Sequence, residues 1–225
     1  MAIKAPLVLS LQVGKVRTMP LEGAAPGSEQ TWTSAINKDP VEGPVWLGTS
    51  NLKGDEQADT KAHGGPDQAV LAYAAEHYDL WREELNLPRL RHGSFGENMT
   101  ISRLNEQTVC VGDTYEIGEA RVQVSQPRRP CVNLVRLLRV PDIVERIMAS
   151  GKGGWYFRVL AEGHVERGSF VVLVTRPCPQ WSVAKVFDIM KRRREDPAAA
   201  LALSDCSLLS AAWRERLRAA GEGKA

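Results

Sequence analysis

The chain has 225 residues, 43% hydrophobic and 25% charged, with a formal net charge of +2. Such a balance excludes a disordered chain, permits a sizeable buried core and argues against a dominant polyanionic partner. No apolar run approaches a membrane span; Pro6–Val13 is short and broken by Ser10 and Gln12, so it reads as a strand, not an export signal, and the expected compartment is the cytoplasm.

Residues 7 to 19 read as two short strands broken at Gly14. Residues 20 to 30, rich in Gly, Pro, Ala and Glu, form a surface loop. Trp32–Asn37 and Val41–Leu47 are strand candidates on either side of a turn at Lys38-Asp-Pro40. A long polar stretch, Leu52 to Val70, follows. It contains His63-Gly64-Gly65, flanked by Lys61 and Asp67. Paired glycines allow backbone N–H groups to approach a ligand and can form an anion-binding nest. The same residues also serve as ordinary turn chemistry between two strands.

Ala69–Tyr73 reads as a short apolar strand and Glu76–Leu85 as a helix with His77, Leu80, Trp81 and Leu85 near one side. His77 is expected to pack rather than ligate. Ser94–Ile101 is a second polar, glycine-containing stretch, where Gly96, Glu97 and Asn98 precede a strand. Val109–Ile117 suggests two strands around Gly112-Asp113, with Cys110 in the core.

The most distinctive stretch is Ser125-Gln-Pro-Arg-Arg-Pro-Cys-Val-Asn-Leu134. The alternation of Ala120–Gln126 is that of a strand, and Pro127 ends it because proline lacks the N–H a ladder needs. Two prolines and two arginines then hold Cys131 at the strand end. Nearby cations favour the thiolate, the form that attacks electrophiles and binds metals. Cys110, Cys131, Cys178 and Cys206 are widely spaced, which fits neither a disulfide framework nor a structural zinc site.

Asp142–Ser150 reads as a helix capped by Asp142 and ended by Gly151. Strands follow at Gly154–Leu160 and Gly168–Thr175. Many short strands with few helices indicate a curled sheet or barrel. A boundary falls at Arg176-Pro-Cys-Pro-Gln180, after which the period changes from two to 3.6. Ser182 and Asp196-Pro197 announce two helices, and Leu208, Leu209, Ala212, Trp213 and Leu217 make the face of a third. This segment carries nine Lys and Arg against six Asp and Glu, including the run Lys191-Arg-Arg-Arg194. That run complements a helix end or, in a sharper reading, contacts phosphate or an acidic partner.

One thiol (Cys131), one imidazole (His63), carboxylates (Asp67, Glu97) and a cation (Arg128) thus come from three glycine-punctuated loops. Two chemistries use such a set. Cys131 can be a nucleophile with His63 as its base, or a soft metal ligand beside an anionic cofactor held by glycine loops, Arg128 and Lys61.

Taken in order, Gly54-Asp-Glu-Gln-Ala-Asp59, His63-Gly-Gly-Pro-Asp67, Phe95-Gly-Glu-Asn98, Val111-Gly-Asp113 and Gln126-Pro-Arg-Arg-Pro-Cys131 resemble the molybdenum cofactor sulfurase C-terminal (MOSC) domain, most closely its stand-alone bacterial members of YiiM type. The resemblance implies a mixed α/β fold, mainly β: a MOSC-type β-barrel with short helices over residues 1–178 and a three-helix subdomain over residues 179–225. It implies a molybdopterin-type molybdenum cofactor, with Cys131 as the metal ligand. Lys61, His63, Gly64, Gly65, Asp67, Gly96, Asn98 and Arg128 would line that site, and His63 or Glu97 would supply protons. The implied activity is reduction of N-hydroxylated compounds, such as hydroxylaminopurine base analogues and amidoximes. Electrons would come from a separate flavoprotein or iron–sulfur reductase, since the chain carries no redox motif of its own. A Cys131 persulfide serving as a sulfur carrier in cofactor maturation is the alternative.

Overall fold

A computed structural model describes residues 5–21, 30–60 and 64–224. Twelve strands and six helices alternate along them. Eight strands form one curled sheet. They are β1 (Val8–Gly14), β4 (Lys38–Val41), β6 (Val70–Ala74), β7 (Met99–Ile101), β8 (Thr114–Ile117), β9 (Ala120–Pro127), β10 (Trp155–Ala161) and β12 (Val171–Thr175). Their order is β12-β8-β9-β10-β6-β7-β1-β4, antiparallel except for the parallel pair β6 and β7. Two small ribbons complete the β structure: β2 (Arg17–Pro20) with β3 (Thr31–Ser34), and β5 (Val45–Leu47) with β11 (Gly163–Val165).

The sheet curls until its far strands almost meet. Val8 N donates to Ser169 O (3.0 Å) and Val171 N to Pro6 O (2.9 Å), and a single bridge joins Leu7 to Phe170. No full ladder spans this seam, so the barrel stays open. Its interior is filled by Val70, Met99, Tyr115, Val122, Trp155 and Phe157, all buried. Each such large side chain contributes about 1.5–3 kcal/mol by leaving water.

A second apolar cluster lies outside the barrel, under α1 (His77–Glu84), α2 (Asn133–Leu138) and α3 (Ile143–Ser150), around Tyr73, Tyr78, Trp81 and Phe95. A third is built by α4 (Val183–Lys191), α5 (Pro197–Ser204) and α6 (Ala211–Gly221), with Phe187, Leu203, Trp213 and Leu217 buried around Val111. Ser182 and Asp196 cap α4 and α5, accepting from Lys185 N (3.3 Å) and Ala199 N (3.0 Å), as their positions predict. Backbone bonds hold this group on the barrel: Val111 N to Trp181 O (2.9 Å) and Ser210 N to Ser125 O (3.0 Å).

Several expectations are corrected. Lys38-Asp-Pro40 is not a turn but the strand β4, with Pro40 opposite Gln12. It occupies the edge of the sheet, where a missing N–H costs no ladder bond. Residues before Gly112 form no extended strand; Cys110 makes only an isolated bridge to Ser182, though it is buried as expected. Leu80 is exposed rather than packed. Asp142 stands at the start of α3 but does not cap it, because its carboxylate pairs with Arg146 instead (2.8 Å). Leu208 and Leu209 precede α6 rather than belonging to it. The expected surface loop of residues 20 to 30 lies largely outside the described residues.

Candidate functional site

A cleft of about 280 Å³ opens where β9 ends. Its wall is made first by the Cys131 loop. Arg128 N donates to Gly154 O (3.0 Å), prolonging the β9–β10 pairing one step past Pro127 before the chain turns away. Cys131 follows, a free, half-buried thiol on the cleft wall, with Arg128, Arg129, Asn133 and Arg136 beside it. The first turn of α2 thus continues the site. Asn133 Oδ1 accepts from Arg136 Nη1 (2.9 Å), and the Arg136 guanidinium lies 5.7 Å from the centre of the Trp32 ring.

Arg128 is the most telling of these residues. It is 4% exposed, and its Nη2 donates to Phe95 O (3.1 Å). Its Nη1 is buried with no partner among the described residues. A buried, charged donor left unpaired is costly, so one on a residue that lines a cleft points to an anionic group there.

The cleft is also lined by Ser34, Lys38, Asp55, Gln57 and Gly64. Lys38 and Asp55 form a buried ion pair, and Asp55 also accepts from Gly14 N (2.6 Å). Tyr156 of β10 lines the cleft, its phenol pushed above the ordinary tyrosine value by burial, with the Arg128 charge pulling the other way. Gly96 and Asn98 close the site. A Cβ on Gly96, which has φ of +79°, would stand 2.7 Å from Ile36 Cγ1, so only glycine fits there. Asn98 is a tie as well as a wall: its Oδ1 accepts from Leu71 N (3.1 Å) and its Nδ2 donates to Gln12 O (3.3 Å).

The sequence-predicted residues therefore divide. Cys131, Arg128, Gly64, Gly96 and Asn98 come together on one cleft. Lys61 and His63 lie outside the described residues. Gly65 begins a single 3₁₀ turn over Pro66–Gln68 and does not line the cleft, and neither does Asp67, whose carboxylate pairs with Arg158 (2.8 Å). Glu97 is the clearest correction. It is 0% exposed and turned into the interior, where its carboxylate accepts from Tyr78 Oη (2.5 Å), Gly93 N (2.7 Å), Phe95 N (3.2 Å) and Thr100 Oγ1 (2.8 Å). A carboxylate so saturated is a scaffold, not a proton donor to a ligand.

Sequence reasoning missed Lys38, Asp55, Asn133, Arg136 and Tyr156. Asp55 stood in the first motif without a role, and Lys38 was hidden in a stretch read as a turn. Asn133 and Arg136 are one helical turn apart directly after Cys131, a spacing that could have revealed them.

Among the described residues, no cluster of three or more His, Cys, Asp or Glu side chains is placed to hold a metal. A single protein thiol in a cationic cleft instead suits a metal whose other ligands arrive with an organic anion. Comparison with known proteins bears directly on this arrangement, for the family model described as "MOSC domain" matches residues 59–172. The chain belongs to the MOSC domain family. The matched residues include Cys131, Arg128 and Asn98, but not Lys38 or Asp55, which complete the cleft from outside it. The solved structure of YiiM from Geobacillus stearothermophilus is 37% identical with a TM-score of 0.79, covering 96% of this chain and 98% of that one. YflK of Bacillus subtilis (strain 168) is 44% identical over 169 residues, 75% of this chain and 73% of that protein. A protein of Gibberella moniliformis named "Reductase" is 34% identical over 84% of this chain, which spans only 33% of that protein. The MOSC domain is associated in general with molybdenum cofactor binding.

Proposed function

We propose that this MOSC protein is an oxidoreductase that binds a molybdopterin-type molybdenum cofactor and reduces N-hydroxylated compounds, hydroxylaminopurine-like bases and amidoximes among them. The observation that carries the reading is the presence, on one cleft, of a half-buried free thiol and a buried guanidinium whose Nη1 has no partner among the described residues. The donor set fits the group. Cys131 Sγ would hold the metal, and Arg128 Nη1 would donate to an anionic oxygen of the organic part, ending its unpaired state. Arg136, steadied by Asn133 and Trp32, would orient the same anion from the rim. Bound there, the cofactor supplies the two-electron chemistry that removes an oxygen from nitrogen.

The chain's own residues do the rest. Lys38, paired with Asp55, which Gly14 N fixes in turn, would offer its ammonium to the bound molecule as a charged hydrogen-bond donor on the cleft wall. Gly96 keeps the wall close to Ile36, narrowing the space left to water. Electrons are to come from a separate flavoprotein or iron–sulfur reductase. The relative named "Reductase" supports the oxidoreductase class, on the third of it that this chain spans.

The test is the protein made in a cofactor-competent host, with molybdenum content and benzamidoxime reduction measured for wild type and Cys131→Ala. Loss of both in the variant is expected. Unchanged metal and rate would end the reading. A cyanide-labile sulfur on Cys131 without bound pterin would replace it with sulfur carriage.

A further inference from the structure

The cleft uses one of the four cysteines, and the C-terminal helical cluster holds two of the others. We propose that Cys178 and Cys206 form an oxidation site, a dithiol that a small disulfide such as oxidised glutathione converts to a disulfide bridge, and that the bridge clamps the C-terminal helices to the barrel. Neither residue lines the cleft, so the site is separate from whatever the cleft binds.

The two cysteines are 28 positions apart in the chain, and the fold brings their sulfurs to 3.8 Å. Cys178 lies in the junction that leaves the barrel after β12, and Cys206 in the turn between α5 and α6. Both stretches press on the same point of the barrel. A Cβ on Gly112 would stand 2.6 Å from Leu208 Cδ1 and 3.2 Å from Pro177 Cγ, so a near neighbour of each cysteine packs against that glycine. Tight turns fix both backbones: Trp181 N donates to Cys178 O (3.0 Å), and Leu209 N to Cys206 O (3.1 Å). A disulfide bond is about 2.05 Å long, so the sulfurs need to approach by only about 1.8 Å, which side-chain torsions can supply. Cys110, in the same region, turns its thiol to Pro179 O (3.6 Å) and leaves the pair to itself.

Accessibility sets the order of events. Cys178 is half-buried and Cys206 buried, so the oxidant reaches Cys178 first. The Cys178 thiolate attacks one sulfur of oxidised glutathione and releases a glutathione thiolate, which takes up the proton Cys178 lost. The Cys206 thiolate then attacks the Cys178 sulfur and releases the second glutathione, which takes up the proton of Cys206. Two protein thiols thus give up two electrons and two protons, and the glutathione disulfide gains both. Burial, then the neighbouring Cys206, pushes the Cys178 thiol up to about 11, so little thiolate is present near neutrality and the exchange is slow there. The bridge closes the chain around α4 and α5 and restricts the unfolded state of that segment. It also fixes the turn that leads to Ser210, whose N donates to Ser125 O of β9 (3.0 Å).

The test uses the full-length chain free of cofactor, so it does not depend on molybdenum chemistry. Reduced protein is incubated with oxidised glutathione at about pH 8.5, quenched with acid, alkylated in denaturant and mapped by peptide mass. A bridge between the Cys178 and Cys206 peptides is expected, with Cys110 still alkylated. Cys206→Ser should stop instead at one glutathionyl group on Cys178. Proteolysis within residues 183–221 is expected to slow at least about tenfold in the oxidised wild type, and dithiothreitol should restore the original rate. Both thiols still alkylated after oxidation overturns the site, as does a bridge from either one to Cys110, Cys131 or a second chain. A bridge that forms only in denaturant overturns it too. Bridged protein cleaved as fast as reduced protein overturns the clamp, and Cys178 left bare in a folded Cys206→Ser chain overturns the order of attack. The wild-type readouts need no variant, so a Cys206→Ser chain that fails to fold leaves them decisive.

Discussion

Two loops meet beside the cleft and use their polar groups in opposite ways. The loop before β7 carries Glu97, whose carboxylate accepts from four donors, on Tyr78, Gly93, Phe95 and Thr100. The loop after β9 carries Arg128, which touches the first loop through Phe95 O yet keeps one buried nitrogen unpaired. Both residues are almost without solvent exposure, so burial does not separate them. Satisfaction does. A saturated buried charge holds the fold together, and an unsaturated one is kept for something that binds.

The strongest way to break this contrast is Glu97→Leu. It strands two backbone N–H groups and two hydroxyls in the interior, and a loss of about 3–5 kcal/mol in chemical denaturation is expected. A loss below about 1 kcal/mol would show that Glu97 is not the scaffold described. Lys38→Met comes next. It leaves Asp55 buried without its counter-charge, and about 3 kcal/mol of destabilisation is expected by the same measurement. Asp55→Asn in the same chain should recover part of it.

Arg128→Met sharpens the other side. In cofactor-free protein it should change stability by no more than about 1 kcal/mol, since the lost bond to Phe95 O is offset by removing an unpaired buried donor. Under the proposed function, the same variant expressed in a cofactor-competent host should retain little molybdenum. A variant that unfolds the cofactor-free protein would put Arg128 with Glu97 among the scaffold residues.

The smallest effect concerns His92, whose ring stands 4.9 Å from that of Tyr78 beside the Glu97 network. Burial holds its pKa below the ordinary value of 6.5, against the opposing pull of Glu97. The folded state therefore binds the proton less readily than the unfolded chain. The contribution of His92 is fully present above pH 6.5 and is lost as pH falls through its folded value. His92→Gln should flatten the acid side of the stability–pH curve, measured by urea midpoints below that pH.

Much of this molecule is legible in the chain. Pro127 and Pro130 mark where β9 ends and Cys131 is held, because proline removes a ladder donor whatever surrounds it. Ser182 and Asp196 announce their helices because a cap acts within a few residues. The ordered motifs resemble the MOSC family to which the chain belongs. Local chemistry governs each of these, so local sequence reveals them. Partnership over distance is another matter. Lys38 and Asp55 meet because β4 joins the sheet edge next to β1, and Pro40 had disguised that strand as a turn. Glu97 and Arg128 look alike as charged residues in polar, glycine- or proline-rich loops. Which of them is saturated and which waits for a ligand depends on the side chains that the fold packs around them, and a hydrogen bond is decided by distance in space rather than separation along the chain.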